Sequence, residues 1–371
     1  MKSLSIMIKP ASSLCNMRCK YCFYANVSDL RDIKSHGIMS EETVEILLNK
    51  VFETLDSGDQ FTIAFQGGEP TLAGIEFFQH FSHEVDAHLE RKKVSVQYSL
   101  QTNGLEISDE LIEYLKRYQY LVGISIDCSK DFHDLSRVDG RGNGTFSRIL
   151  KTKEKFIKAE IPHNVLCVLT NPMGKHPEKV WNFLKKYKID FVQFIPCLGD
   201  LQGGNDTKLP LESKVFSDFY TGLLPLWFQS LKEKRYISIR FFDDLFHLLL
   251  HRQVNSCGFT GQCGIQLVVE GDGSVYPCDF YVLDQWKLGD FHHHSLAEMQ
   301  NSIIGQNFLE RKTTQTSGCK ECEFQNFCGG GCERMAKEMY SFGGFCGYQD
   351  FLRKNKMLIE EIAAYLSQTQ G

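Results

Sequence analysis

Short runs of Val, Ile, Phe and Leu alternate with segments whose apolar positions recur every three or four residues. The runs Leu4–Ile8, Phe61–Phe65, Val94–Leu100, Leu121–Asp127, Asn164–Thr170 and Asp190–Ile195 are each bounded by polar or glycine-containing breaks. That pattern predicts strands buried on both faces, as in a parallel sheet. Met1–Pro10, with Lys2 and Lys9 around a short apolar stretch, reads as the first of these strands and not as a signal peptide. Between the strands the periodicity is helical. Ser40–Leu55 is the clearest case, with Ser40 placed to cap, Glu41 and Glu42 in the first turn, and Val44, Leu47, Leu48, Val51, Phe52 and Leu55 on one stripe. Phe77–Leu89, Asp109–Leu115, Phe146–Ala159 and Pro177–Tyr187 fill the other gaps.

Six β–α units in succession predict an α/β fold with right-handed crossovers. A complete eight-unit barrel needs about 250 residues, so six units in about 200 predict a partial barrel or an open curved sheet, in either case with the reactive face at the C-terminal ends of the strands. A long helix, Ser213–Lys232, follows. From Cys257 onward apolar periodicity fades and cysteine and glycine dominate, a texture that needs metal to hold its shape. Within it, Gly271-Asp272-Gly273-Ser274 reads as a hairpin turn, and a helix, Tyr348–Leu366, closes the chain. The domain boundaries that follow are 1–235 for the barrel, 236–346 for the cysteine-rich part and 347–371 for the C-terminal helix.

Composition narrows the function. Of 371 residues, 41 are Lys or Arg and 46 Asp or Glu, a net charge of −5. That balance offers no electrostatic footprint for nucleic acid or an anionic membrane surface, and no apolar run is long enough to span a bilayer. The expected location is cytoplasmic. Fourteen cysteines without a secretory signal point to metal ligation instead of disulfides.

Cys15, Cys19 and Cys22 form C-x3-C-x2-C directly after the first strand. Three thiolates on one loop hold three corners of a metal site and leave a fourth position open for chemistry; spacing alone leaves zinc and iron–sulfur both open. Gln66-Gly67-Gly68-Glu69-Pro70 follows the second strand, where two glycines let backbone approach a ligand closely. Ser125 and Asp127 end the fourth strand, and Arg137 follows on a polar loop, where its guanidinium suits a carboxylate. Cys257, Cys263, Cys278, Cys319, Cys322, Cys328, Cys332 and Cys346 make eight further thiolates, enough for two closed four-cysteine sites. Asp279 adjoins one of them, where a carboxylate can serve as a general base if substrate reaches it.

The cysteine loop, with Tyr21 before its last cysteine, resembles the signature of the radical S-adenosylmethionine enzymes, which implies the partial (β/α)6 barrel of that family. The resemblance implies a [4Fe–4S] cluster on Cys15, Cys19 and Cys22, S-adenosyl-L-methionine on the open iron, and a 5′-deoxyadenosyl radical that abstracts hydrogen. It implies cofactor contacts at Tyr21, Gly68, Ser125, Arg137 and Leu198. The C-terminal cysteines resemble the SPASM extension, which implies two auxiliary [4Fe–4S] clusters, one on Cys257, Cys263, Cys278 and Cys332, the other on Cys319, Cys322, Cys328 and Cys346. Three clusters leave Cys128, Cys167 and Cys197 as small core residues.

Longer stretches, among them Ile8–Ser13, Cys22-Phe23-Tyr24, Phe65–Gly74, Ser99–Gly104 and Gly273–Asp284, are similar to anaerobic sulfatase-maturating enzymes. That resemblance implies oxidation of a cysteine or serine in a sulfatase polypeptide to Cα-formylglycine. Asp279 would deprotonate the side chain, an auxiliary cluster would accept the remaining electron, and Tyr24 and Gln66 would lie near the substrate. A low-potential donor such as flavodoxin or ferredoxin is the other expected partner. Cys128 departs from the pattern, since relatives generally carry glycine there. Two rivals remain: a radical maturase that crosslinks a ribosomal peptide, and a zinc-stapled binding protein without catalysis. His292-His293-His294 reads as a solvated turn.

Overall fold

A computed structural model describes residues 1–203, 208–254, 256–311, 317–340 and 344–369. Its strands are β1 (Ser3–Ile8), β2 (Gln60–Phe65), β3 (Ser95–Thr102), β4 (Leu121–Ser125), β5 (His163–Leu169), β6 (Phe191–Pro196), β7 (Ser238–Ile239), β8 (Val268–Val269), β9 (Ser274–Tyr276) and β10 (Gly289–Asp290). The residues pack as two compact units that interleave along the chain. The first is Met1–Ser125, Arg137–His163 and Gly264–Arg311; the second is Ile126–Ser136, Asn164–Cys263 and Lys312–Gly371. This spatial division follows different lines from the boundaries at 235 and 346 drawn from sequence.

In the first unit β1, β2, β3 and β4 are parallel neighbours, with Ile8 opposite Phe65, Phe65 opposite Leu100 and Thr102 opposite Ile124. Ile6, Ile8, Phe61, Ile63, Phe65, Leu100, Val122 and Ile124 are essentially sequestered from solvent. β8 joins the free side of β1 in parallel, pairing Ile8 with Val269, and β9 and β10 continue antiparallel. The short hairpin over 268–276 thus belongs to the same sheet as the N-terminal strand. Gly273, at φ +81°, closes its turn, and the Gly273 amide donates to the Glu270 carbonyl at 2.9 Å. The helix Glu41–Thr54 is capped as expected: the Ser40 hydroxyl accepts from the Thr43 amide, and Val44, Leu47, Leu48, Val51 and Phe52 are buried.

In the second unit β5 from Asn164 onward, β6 and β7 are parallel, with Cys167 opposite Phe194 and Val192 opposite Ile239. β7 and the helix after it, Arg240–His251, were not anticipated; two residues are too few to show a strand's alternation. Cys128, Cys167 and Cys197 are buried to 1% exposure or less, as small core residues should be. The C-terminal helix is divided: Gly347–Lys354 ends at Asn355, and Lys356–Thr369 follows. At the break the Asn355 side-chain amide donates to the Phe351 carbonyl and the Thr221 hydroxyl, both at 2.8 Å, while its backbone amide still donates to the Phe351 carbonyl at 3.1 Å. Among the described residues no helix is long and apolar enough to cross a membrane.

Candidate functional site

The first unit gathers its unusual residues at the C-terminal ends of its parallel strands. The cysteine loop follows β1 and is stitched to the loop after β4: the Arg18 amide donates to the Val138 carbonyl at 2.8 Å, and Met17 bridges Asp139. Donors converge on one sulfur. The Met17 amide lies 3.4 Å from Cys15 Sγ and the Asn103 side-chain amide 3.7 Å from it. Burial pushes the free Cys15 thiol up, with Glu69 and Cys22 adding to the shift and these donors opposing it. N–H groups aimed at sulfur suit a metal-bound thiolate.

The GGEP segment shapes this loop from β2. A Cβ on Gly68 would sit 2.2 Å from the Leu14 carbonyl and 2.7 Å from that of Ser12, and the residue has φ +53°. Only glycine lets the two loops lie this close. Glu69, 1% exposed, binds both sides. Its amide donates to the Leu14 carbonyl at 2.7 Å. Its carboxylate accepts the Asn103 amide at 2.7 Å and the hydroxyls of Thr71 and Thr102, each at 2.8 Å. Burial raises the Glu69 carboxyl above the usual range, and those hydrogen bonds pull it back only partly.

Of the expected cofactor contacts, Arg137 lies with its guanidinium carbon 5.4 Å over the Tyr21 ring, and Ser125 at the end of β4 accepts from the Gln101 side chain at 3.1 Å. Tyr21, Gly68, Ser125 and Arg137 all belong to the first unit, whereas Leu198 lies in the second, buried after β6. Asp127, in the second unit, is tied to β5: its Oδ1 accepts the Val168 amide at 3.0 Å.

Asp279 opens a short turn, Asp279–Tyr281, and is 7% exposed. The Lys9 ammonium, just past β1, donates to Oδ1 at 2.5 Å; the Gln66 amide, just past β2, donates to Oδ2 at 2.9 Å. Lys9 is fully buried and its Nζ lies 3.9 Å above the Tyr24 ring. The Tyr24 hydroxyl in turn donates to Glu270, which Arg31 also reaches at 2.7 Å. Lys9, Arg31, Glu69, Asn103 and Glu270 were not singled out from sequence as site residues. A buried strand that ends on lysine was the one available signal for Lys9.

The second unit holds Cys319, Cys322, Cys328 and Cys346 around a cavity of about 190 Å³. Donors again point at sulfur: the Phe324 amide at 3.4 Å and the Gln349 side chain at 3.2 Å from Cys322 Sγ, and the Gln349 amide at 3.4 Å from Cys346 Sγ. Burial pushes the Cys328 thiol up and that of Cys346 to about 11. A cavity ringed by four thiols suits a cubane, which takes each thiolate on a different iron. Cys257, Cys263 and Cys332 also belong to this unit, and Cys278 belongs to the first. The three adjacent histidines are exposed at a turn, with His293 Nδ1 donating to the Asp290 carboxylate at 2.6 Å.

Residues 10–187 match the model of the radical SAM superfamily, and residues 257–323 that of an iron–sulfur cluster-binding domain. The chain is 37% identical to a cysteine-type anaerobic sulfatase-maturating enzyme of Clostridium novyi, over the whole of both chains. It is 39% identical to the cysteine-type enzyme of Clostridium perfringens strain ATCC 13124, over 90% of each. It is also similar to a solved structure, native anSMEcpe with bound AdoMet and Cp18Cys peptide, at a TM-score of 0.89 and 35% identity, covering 98% of this chain and 99% of that one. Its cofactors are therefore S-adenosyl-L-methionine and [4Fe–4S] clusters. With a radical SAM domain, a SPASM domain and full-length identity of this order, the chain belongs to the anaerobic sulfatase-maturating enzymes.

Proposed function

We propose that the enzyme oxidises a cysteine in a sulfatase polypeptide to Cα-formylglycine, with Asp279 as the base. One observation carries this reading: a buried carboxylate next to Cys278 is held by Lys9 and Gln66 at the ends of two neighbouring parallel strands. A base must be fixed within hydrogen-bond reach of the proton it removes, and two donors fix both oxygens of Asp279 while leaving lone pairs free. When bound, the cofactors supply reductive cleavage of S-adenosylmethionine, hydrogen abstraction from the target Cβ, and an auxiliary cluster as electron acceptor. Cys15, Cys19 and Cys22 would hold the first cluster, Cys257, Cys263, Cys278 and Cys332 the second, and Cys319, Cys322, Cys328 and Cys346 the third. Tyr21, Gly68, Ser125, Arg137 and Leu198 would bind the cofactor. Asp279 takes the proton from the target thiol, and the thioaldehyde left after loss of that proton, a hydrogen atom and an electron is hydrolysed to the aldehyde with release of hydrogen sulfide; Gln66 orients the carboxylate and Tyr24 stands behind Lys9. The name shared by the relatives at 37% and 39% identity supports cysteine as the target. Eleven thiolate ligands suit a reducing compartment such as the cytoplasm, and a low-potential flavodoxin or ferredoxin would supply the electron.

The test is incubation of a sulfatase-motif peptide, in cysteine and serine forms, with reductant and S-adenosylmethionine. A hydrazide-reactive aldehyde, formed faster from the cysteine peptide, is expected. A crosslinked product, or 5′-deoxyadenosine without aldehyde, would overturn the reading.

A further inference from the structure

We propose that Lys9 is a positioning residue for Asp279, and that Gly67 is glycine to give the Lys9 side chain its path. The proposal rests on Asp279 being the base. Lys9 has no exposed surface, and its ammonium reaches Asp279 Oδ1 at 2.5 Å. Its place is fixed from two sides. On one, the Tyr24 ring lies 3.9 Å from Nζ, and the Tyr24 hydroxyl is tied to Glu270, which pairs with the buried Arg31. On the other, Gly67 has φ +113°, and a Cβ there would sit 2.6 Å from both Cγ and Nζ of Lys9. One glycine of the pair after β2 therefore makes room for a lysine, while Gly68 makes room for the cysteine loop.

The chemical consequence concerns aim. The proton leaves the target thiol and lands on a carboxylate oxygen of Asp279; Lys9 takes no part in the transfer and only holds that carboxylate in place. Without Lys9, Gln66 holds only Oδ2, and the carboxylate is free to rotate away from the target. Hydrogen abstraction would continue while deprotonation lags, so 5′-deoxyadenosine would accumulate without matching aldehyde.

The experiment compares holoenzyme carrying Lys9→Met, Lys9→Gln, Gly67→Ala or Asp279→Asn, and the Lys9→Met/Asp279→Asn double variant. Iron content and affinity for the target peptide, by fluorescence anisotropy, are measured beside turnover. Lys9→Met is expected to lower the aldehyde-to-deoxyadenosine ratio about tenfold or more, with kcat falling, and with KM and peptide affinity nearly unchanged. Lys9→Gln, which keeps one donor for Oδ1, should recover part of the ratio, Gly67→Ala should lose it, and the double variant should be no worse than Asp279→Asn. A wild-type ratio in Lys9→Met and Lys9→Gln, with the ratio lost in Asp279→Asn, overturns the Lys9 proposal alone. A wild-type ratio in Asp279→Asn overturns the base assignment beneath it. If Lys9→Met fails to load iron, Lys9→Gln decides: a ratio equal to wild type sinks the proposal and a reduced one sustains it.

Discussion

The hydroxyl of Tyr24 and the guanidinium of Arg31 share a single acceptor, Oε1 of Glu270. Tyr24 is 5% exposed, and burial together with the Glu270 charge pushes its phenol well above the ordinary range. The proton therefore stays on Tyr24, and what the residue turns toward the site is its ring face, against Lys9. Resemblance implies that Tyr24 lies near the substrate; within the protein its contacts run through Lys9 to Asp279.

That arrangement predicts a pH dependence. Burial alone would raise the Glu270 carboxyl, but Arg31 and Lys9 outweigh it and hold it below its ordinary 4.5. A carboxylate depressed in the folded state contributes stability above its unfolded value, and that contribution is lost as pH falls through the lower folded value. Glu270→Gln should melt below wild type at neutral pH, and the gap should narrow as pH falls from about 5 to below 4.5. Glu270→Ala leaves the buried Arg31 without its ion-pair partner, at a cost of about 3–5 kcal/mol. Thermal denaturation by circular dichroism across that pH range checks both; a gap independent of pH would refute the linkage.

Gly68→Ala tests the packing of the two loops. The added Cβ meets backbone carbonyls of Leu14 and Ser12, which cannot rotate away as a side chain could. The cysteine loop must shift, and three thiols on it must shift together. We expect reconstituted protein to lose about four irons, one cubane, with the auxiliary sites still loaded. Gly140→Ala, where a Cβ meets nothing within 4 Å, should load normally. Iron analysis of the two variants side by side makes the measurement.

Much of this was readable beforehand, for a reason visible in particular residues. Strands such as β2, whose Phe61, Ile63 and Phe65 are buried, announce themselves by local pattern. Helix Ser213–Lys232 falls on the residues its periodicity assigns. The cysteine spacings are local too. What pattern could not show is pairing across long separations. Lys9 meets Asp279 from 270 positions away and Arg31 meets Glu270 from 239. A buried charge looks like a surface charge until its partner is known. β7, of two residues, exists because a neighbouring strand accepts it and carries no signal of its own.

Asn103 offers a test of how the first cluster would be tuned. Its side-chain amide donates to the Asn16 side chain at 2.8 Å and stands 3.7 Å from Cys15 Sγ, and its backbone is fixed by Glu69. An N–H directed at a ligating sulfur stabilises the more negative, reduced state. Asn103→Val should therefore lower the reduction potential by about 40 mV, the one-electron equivalent of about 1 kcal/mol. Redox titration followed by electron paramagnetic resonance reads this directly; an unchanged potential with full iron loading would exclude the contact as a tuning element.

Removing metal from the second unit should have a local structural result. Cys328 and Cys346 both hold their protons more tightly than an ordinary thiol, chiefly because they are buried. Metal binding must displace those protons, so affinity at this site falls as pH falls. Once metal is gone, the neutral thiols line a cavity of about 190 Å³ in a segment with few apolar side chains to close it. Gly347 marks where order should resume, because its Cα packs so closely on the Ser213 carbonyl that a Cβ would come within 2.1 Å. Chelation under reductant should accordingly open residues 317–340 to protease while 1–125 and the helix 213–232 stay intact. Peptide mapping of the digests, with and without chelator and at two pH values, should find cutting confined to that segment and faster at the lower pH. Equal cutting throughout the chain would mean that metal holds the whole fold together and not this segment alone.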